Sequence, residues 1–169
     1  MAQGSLSRRV TLEPCGPTDL VRLAAWLRAP HVAPWYPDPE ADLARAAAPP
    51  AGSGQAFIAV DGEAVGYLRW QHVDRATLDA MGLQEVPANS VDADILLGVE
   101  AGRGIGPAAL ALLADDLRAA GDVPMLGLTS HPDNERAHRA FAKAGFRFAR
   151  LYAPDGARPM CLFLLRLHD

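Results

Sequence analysis

The stretch that most constrains this chain is a short apolar strand that runs into alternating glycines and then into a helix. Asp94 to Val99 is an apolar run of strand type, bounded by Glu100 and glycines. Gly102, Gly104 and Gly106 alternate in the loop that follows, where a backbone without Cβ can turn tightly and lie against a ligand. Pro107 suits a first helical turn, where no N–H is needed. Leu110, Leu113, Ala114 and Leu117 then repeat at helical spacing and give one apolar face. A glycine turn at a helix N-terminus leaves N–H donors free at the positive end of the dipole, which is a place for phosphate. Two familiar phosphate patterns are excluded. No Lys-Ser/Thr follows the last glycine, and the glycines are not spaced as G-x-G-x-x-G. By itself the loop reads equally well as a bare strand-to-helix connection.

The flanking sequence is that of a mixed α and β domain. Val10 to Glu13 reads as a first strand, and Thr18 as the cap of a helix to about Arg28 with Leu20, Leu23, Ala24 and Leu27 inward. Asp38 caps a second helix with Pro39 at its first position, ending near Ala48. Ala56–Val60 and Ala64–Trp70 flank Asp61-Gly62, a type I′ hairpin signal. Residues 71–90 read as irregular and as cover for one face of a site. Met125 to Thr129 is a strand, Asn134 to Ala144 a helix stopped by Gly145, and Phe146–Tyr152 with Met160–Leu167 a last hairpin across Pro154-Asp155-Gly156. Phe146 and Phe148 are expected in the core.

Length and composition fit one domain, residues 10–169, after a polar leader at 1–9. Sixteen Lys and Arg against twenty Asp and Glu give a net charge of −4, which argues against general nucleic-acid affinity and suits a cationic small molecule. Cys15 and Cys161 form no framework. No apolar run reaches membrane-spanning length and no signal peptide is visible, so a cytoplasmic protein, monomer or homodimer, is expected. His31 and His72 lack metal spacing, and no metal is expected. Asp92 and Asp94 stand two apart on one strand and so share a face. Two carboxylates on one face of an apolar strand are costly unless solvated or paired with a cation. The competing reading is a frayed strand start at which Asp92 is merely exposed.

AGRGIGPAAL and NERAHRAFAKAGF together resemble the GCN5-related N-acetyltransferase (GNAT) superfamily, from Val10 to Leu167. Its members carry a Q/R-x-x-G-x-G/A loop and, some thirty residues on, N-x-x-A-x-x-x-Y/F-x-K-x-G-F. The resemblance implies the order β-α-α-β-β-β-α-β-α-β-β, a single-domain α+β acyl-CoA N-acyltransferase fold whose mixed sheet splays between the fourth and fifth strands. It implies acetyl-CoA as co-substrate. The pyrophosphate would lie on Gly102, Arg103, Gly104, Ile105 and Gly106, and the pantetheine arm along the strand backbone at Leu97 and Val99. Asn134, Ala137, Phe141 and Lys143 match the second motif. The family's loop-start glutamine or arginine is Ala101 here, so one side-chain contact is missing. Phe141 stands where many relatives have a tyrosine that protonates the departing thiolate, and a phenyl ring cannot do that.

AAWLRAPHVAPWY and GEAVGYLRW narrow the resemblance to aminoglycoside 6′-N-acetyltransferases. Amine acetylation needs a neutral amine, so a carboxylate that attracts the cation and takes its proton helps twice. The resemblance makes Asp94 the base and Trp35, Tyr36 and Tyr67 aromatic walls for a sugar ring. Asp92, on the same face as Asp94, is read as a contact for the cationic acceptor. For Tyr67 and Trp70, packing is the competing role. Two alternatives remain: a lysine N-acyltransferase of siderophore biosynthesis, which shares the HVxxW segment, and a non-catalytic acyl-CoA-binding module.

Overall fold

The computed structural model describes residues 8–99, 103–156 and 158–169. The expected leader falls mostly on residues 1–7, and the expected Gly102 contact on residue 102, both outside the described residues. In chain order the elements are β1 (Val10–Pro14), α1 (Leu20–Leu27), α2 (Pro39–Ala47), β2 (Ser53–Val60), β3 (Glu63–Val73), α3 (Arg75–Ala80), β4 (Ser90–Leu97), α4 (Ile105–Ala120), β5 (Met125–Ser130), α5 (Glu135–Lys143), β6 (Arg147–Tyr152) and β7 (Met160–Arg166). Short 3-10 turns cover Pro17–Asp19, Ala33–Trp35 and Pro154–Gly156. The expected order holds, with one helix added: residues 71–90 contain α3, capped by Asp74, whose carboxylate accepts from the Thr77 N–H at 2.7 Å.

All seven strands form one sheet in the order β1-β2-β3-β4-β5-β7-β6. Neighbours are antiparallel except β4 and β5, which run parallel and pair only through Val91–Ala93 against Leu126–Leu128. Beyond Ala93 and Leu128 this ladder stops, and β4 continues to Leu97 without it. This is the expected parting of the fourth and fifth strands.

Strand alternation puts Val91 and Ala93 on one face and Asp92, Asp94 and Leu96 on the other. The first face carries the main core, where Ile58, Leu68, Leu126 and Leu128 meet Ala109, Leu110, Leu113 and Leu117 of α4 and Phe141 of α5. The second face is covered in two places. Leu23, Trp26 and Leu27 of α1 pack with Phe57, Tyr67 and Leu96, while Leu78 of α3 packs with Val73, Tyr152 and Leu162. Trp26 is an inward residue that the expected α1 face omitted.

Several boundaries differ from expectation for physical reasons. Thr18 is not the cap of α1: the chain enters through the Pro17–Asp19 turn, and the Asp19 carboxylate accepts from the Gly16 N–H at 2.9 Å. β4 begins at Ser90 and ends at Leu97, so both aspartates lie inside the strand and Val99 lies beyond it, exposed. Phe148, expected in the core, is 56% exposed because β6 is the edge strand. Phe146 is buried as expected.

Gly98 closes β4 against Trp26. A Cβ built there would lie 2.1 Å from the Trp26 ring, at its attachment rather than at its tip. The indole is therefore seated on bare backbone and fixes α1 to the end of β4. Gly98→Val should lower the unfolding free energy by roughly 1–3 kcal/mol through overpacking. Denaturant midpoints measure this, and an unchanged midpoint would show that the ring relocates freely.

Candidate active site

Between the two apolar clusters on the second sheet face runs a polar strip. Antiparallel pairing sets Arg69 of β3 opposite Asp94 of β4, and Gln71 opposite Asp92. Paired residues share a face, so Arg69 meets Asp94 directly. Arg69 Nε and Nη2 donate to Asp94 Oδ2 at 3.2 and 3.1 Å, and Nη2 also lies 3.5 Å from Asp42 Oδ1 of α2. The other carboxylate oxygen, Asp94 Oδ1, accepts from the Tyr36 hydroxyl at 2.7 Å. Asp94 is thus held by three donors.

Asp92 lies half-buried on the same face, and among the described residues no donor reaches its carboxylate. Burial and then the Asp94 charge push its pKa up to about 7, against the opposing pull of Arg69 and Arg45. Burial would weaken the charge on Arg69, but Asp94 and Asp42 more than offset this and hold it above its ordinary value. Burial and Asp94 raise Tyr36 well above its ordinary value, so it stays a donor. Burial raises Asp42 as well, against the attraction of Arg69.

Asp92 and Asp94 form the floor of a cleft with about 420 Å³ of empty space, part of it open to solvent. Its walls are Arg45 at the end of α2, Gln55 of β2, and Tyr67 and Arg69 of β3. Tyr67 is buried; it packs on Phe57 at 5.9 Å between ring centroids and donates its hydroxyl to Gln55 Oε1 at 2.6 Å. Both of its readings therefore have structural content: it packs the core and edges the cleft. The Tyr36 hydroxyl, donated to Asp94, also lies 3.1 Å from the Ile95 carbonyl. Trp35 is 37% exposed and its ring faces His131, just past β5, at 5.8 Å. The Trp35–Tyr36 pair therefore reaches both sides of the gap between β4 and β5.

The parted edge of β4 carries a carbonyl that already has a donor. Gly98 N–H bonds to Val65 O on the β3 side, so alternation turns the Leu97 carbonyl the other way. There it accepts from His31 Nε2 at 3.0 Å, which requires the proton on that nitrogen. At the C-terminal end of β5, the buried Ser130 hydroxyl has no partner among the described residues.

The glycine loop delivers α4 with Gly104 as its N-cap in the left-handed region, φ 74°. Its first turn has no side-chain cap and no acidic residue. Among the described residues the N–H groups of Ile105 and Gly106 meet no acceptor, and the positive end of the helix dipole there suits a phosphate. Arg103 beside it is exposed. Asn134 caps α5, its Oδ1 accepting from the Ala137 N–H at 3.2 Å. Phe141 is buried against Phe163 and Phe146, Ala137 packs on the core and Lys143 is exposed. Among the described residues no group of His, Cys, Asp or Glu could hold a metal ion, and no helix is long and apolar enough to cross a membrane.

Residues 16–153 match the family model for the acetyltransferase (GNAT) domain. The chain belongs to that family of N-acetyltransferases. No curated protein matches the sequence. Among solved structures, aminoglycoside acetyltransferase AAC(6')-Ib in complex with coenzyme A and kanamycin aligns with a TM-score of 0.76 at 23% identity, over 94% of this chain and 95% of that one. The aminoglycoside N(6')acetyltransferase of Legionella pneumophila aligns at 0.72 and 15% identity, over 98% and 96%. Mycobacterium smegmatis RimJ in complex with CoA-disulfide aligns at 0.68 and 24% identity, over 93% and 81%. At these identities the likeness is one of fold.

Sequence reasoning found both aspartates but missed Arg69, Arg45 and Asp42. Arg69 had a signal: a charge between the apolar residues of Tyr-Leu-Arg-Trp needs a partner.

The raised proton affinity of Asp92 has a consequence for stability. The folded-state value of about 7 exceeds that of an unfolded aspartate, so the ionised carboxylate costs stability as pH rises from about 4 to about 7, and the cost is constant above. Asp92→Asn should therefore be more stable than wild type above neutrality, by at most about 4 kcal/mol, and no different near pH 4. Thermal unfolding of the two proteins at acid and alkaline pH measures the difference. An equal gap at both would show that Asp92 titrates normally.

Proposed function

We propose that the chain transfers the acetyl group of acetyl-CoA to a primary amine of a polycationic amino sugar, as in 6′-acetylation of an aminoglycoside. The observation that carries this reading is the pair Asp92 and Asp94 on the floor of an open cleft, beside the strand edge where β4 leaves β5. The N–H groups at the start of α4 would receive the pyrophosphate, with Arg103 adding charge. Leu97 and Val99 would follow the pantetheine arm by their backbone, and the Asn134 amide nitrogen is free of the cap that engages its oxygen. The unpartnered Ser130 hydroxyl at the end of β5 fits a polar arm entering there. Acetyl-CoA supplies the activated carbonyl. The chain's own residues place the amine against it and carry away a proton. Trp35 offers the exposed aromatic face for a sugar ring. Phe141 leaves protonation of the thiolate to water or another group. A cytoplasmic site of action belongs to the same reading.

One observation favours the alternative of a lysine acceptor. Arg45 and Arg69 line the same cleft, and a cation there suits an acceptor that carries a carboxylate.

Thiol release from acetyl-CoA separates the two. Amino sugars with a free 6′-amine should turn over, and analogues with a 6′-hydroxyl should not. Turnover of lysine derivatives with every aminoglycoside inert would replace the amino-sugar reading. Donor binding is tested separately. Gly104→Asp sets a charge at the proposed pyrophosphate site and a Cβ on a left-handed residue. Calorimetry should show acetyl-CoA affinity reduced by at least about tenfold, a loss of about 1.4 kcal/mol. Wild-type affinity in the folded variant would remove the loop from the site.

A further inference from the structure

We infer that Asp92 accepts the proton of the acceptor amine, and that Asp94 is a positioning residue that orients Arg69 and Tyr36 around it. The inference rests on the acetyl-transfer reading above and assigns the two carboxylates opposite roles to those the sequence implies.

The geometry of the pair is asymmetric. Among the described residues every hydrogen bond that reaches the two carboxylates goes to Asp94: Tyr36 on one oxygen, two Arg69 nitrogens on the other. A proton arriving at Asp94 would have to displace a donor, because both carboxylate oxygens are already engaged. Asp92 offers the reverse. Its carboxylate lines the cleft, is poorly solvated, and meets no donor among the described residues. The charged and titratable groups facing it are Asp94 on its own strand, Arg69 of β3, Arg45 of α2 and Tyr152 of β6. Asp94 favours a proton on Asp92, and the two arginines oppose it. Burial and then Asp92 raise Tyr152, against a smaller opposing effect of Thr129, so it stays neutral.

The proton count then closes. The amine arrives as an ammonium ion and gives one proton to Asp92, which becomes a neutral carboxylic acid. The freed lone pair forms the new C–N bond at the thioester carbonyl, and the C–S bond breaks with its electrons going to sulfur. The second N–H proton leaves the nitrogen and, directly or by water, reaches the thiolate. Asp92 returns its proton to solvent. The products are the amide, the thiol and one proton. An acid whose proton affinity lies near the working pH is suited to this exchange.

The test pairs kinetics with a readout that needs no acceptor. With the amine that turns over best, kcat/KM of wild type should rise through neutrality along a limb that Asp92→Asn abolishes, with kcat down about 100- to 10,000-fold. Asp94→Asn should raise KM and keep the limb, displaced to lower pH, because it removes a like charge and frees Arg69 to face Asp92. Loss of the limb in Asp94→Asn together with its retention in Asp92→Asn would overturn the inference. In parallel, carboxyl ¹³C NMR of the free protein should show one aspartate titrating near neutrality whose resonance is absent in Asp92→Asn. An Asp92 resonance titrating with ordinary carboxylates sinks the inference whether or not an acceptor is known. A neutral titration with every amine inert counts against the acceptor reading alone.

Discussion

A backbone carbonyl that loses its strand partner without gaining another donor is costly when shielded from water, and β4 carries such carbonyls where it parts from β5. The chain meets this with side chains from a segment sixty residues earlier. His31 donates to the Leu97 carbonyl, and Tyr36 lies within reach of the Ile95 carbonyl. Gly98 then receives the face of Trp26. The opening of the sheet and the docking of α1 and its following turn are therefore one structural event. The segment held in this way is the one that carries Trp35 and Tyr36 to the gap.

The same dependence explains how an apolar sheet tolerates a strip of charge. Apolar clusters flank the strip on both sides, so its groups must satisfy one another. Arg69 does this for Asp94 and partly for Asp42, with Tyr36 completing the set. Asp92 is left over. Its excess charge is tolerable because the cleft admits water or a cation, and an ammonium ion is the species that would relieve it best. Stability and acceptor affinity pull on the same carboxylate: what destabilises the free protein above neutrality is what would draw an amine in.

Much of this was legible from spacing. Glycines ahead of an amphipathic run placed α4, Asp61-Gly62 placed the hairpin, and Asp38 with Pro39 placed α2, because each depends on local backbone chemistry. The two-residue offset of Asp92 and Asp94 fixed their common face. What stayed hidden depends on long-range pairing. That Arg69 faces Asp94 follows from β3–β4 register, which no local pattern states. The short helix α3 is hidden because six residues carry too little periodicity, although Asp74 three residues before Thr77 is a visible cap. Phe148 was assigned to the core because an edge strand cannot be told from a central one by composition alone.

Phe141 completes the division of labour between the two sides of the gap. On α5 it is buried with Phe146 and Phe163, so this position contributes apolar packing and no proton. A thiolate is a fair leaving group near neutrality, so the absence of an acid there costs the reaction little. The nucleophile has no such latitude, because an ammonium ion has no lone pair. A site that must economise on polar groups can dispense with help for sulfur but not for nitrogen. Among the described residues the charged groups gather on β3, β4 and α2 around the cleft, and on α5 Phe141 gives its side chain to the core.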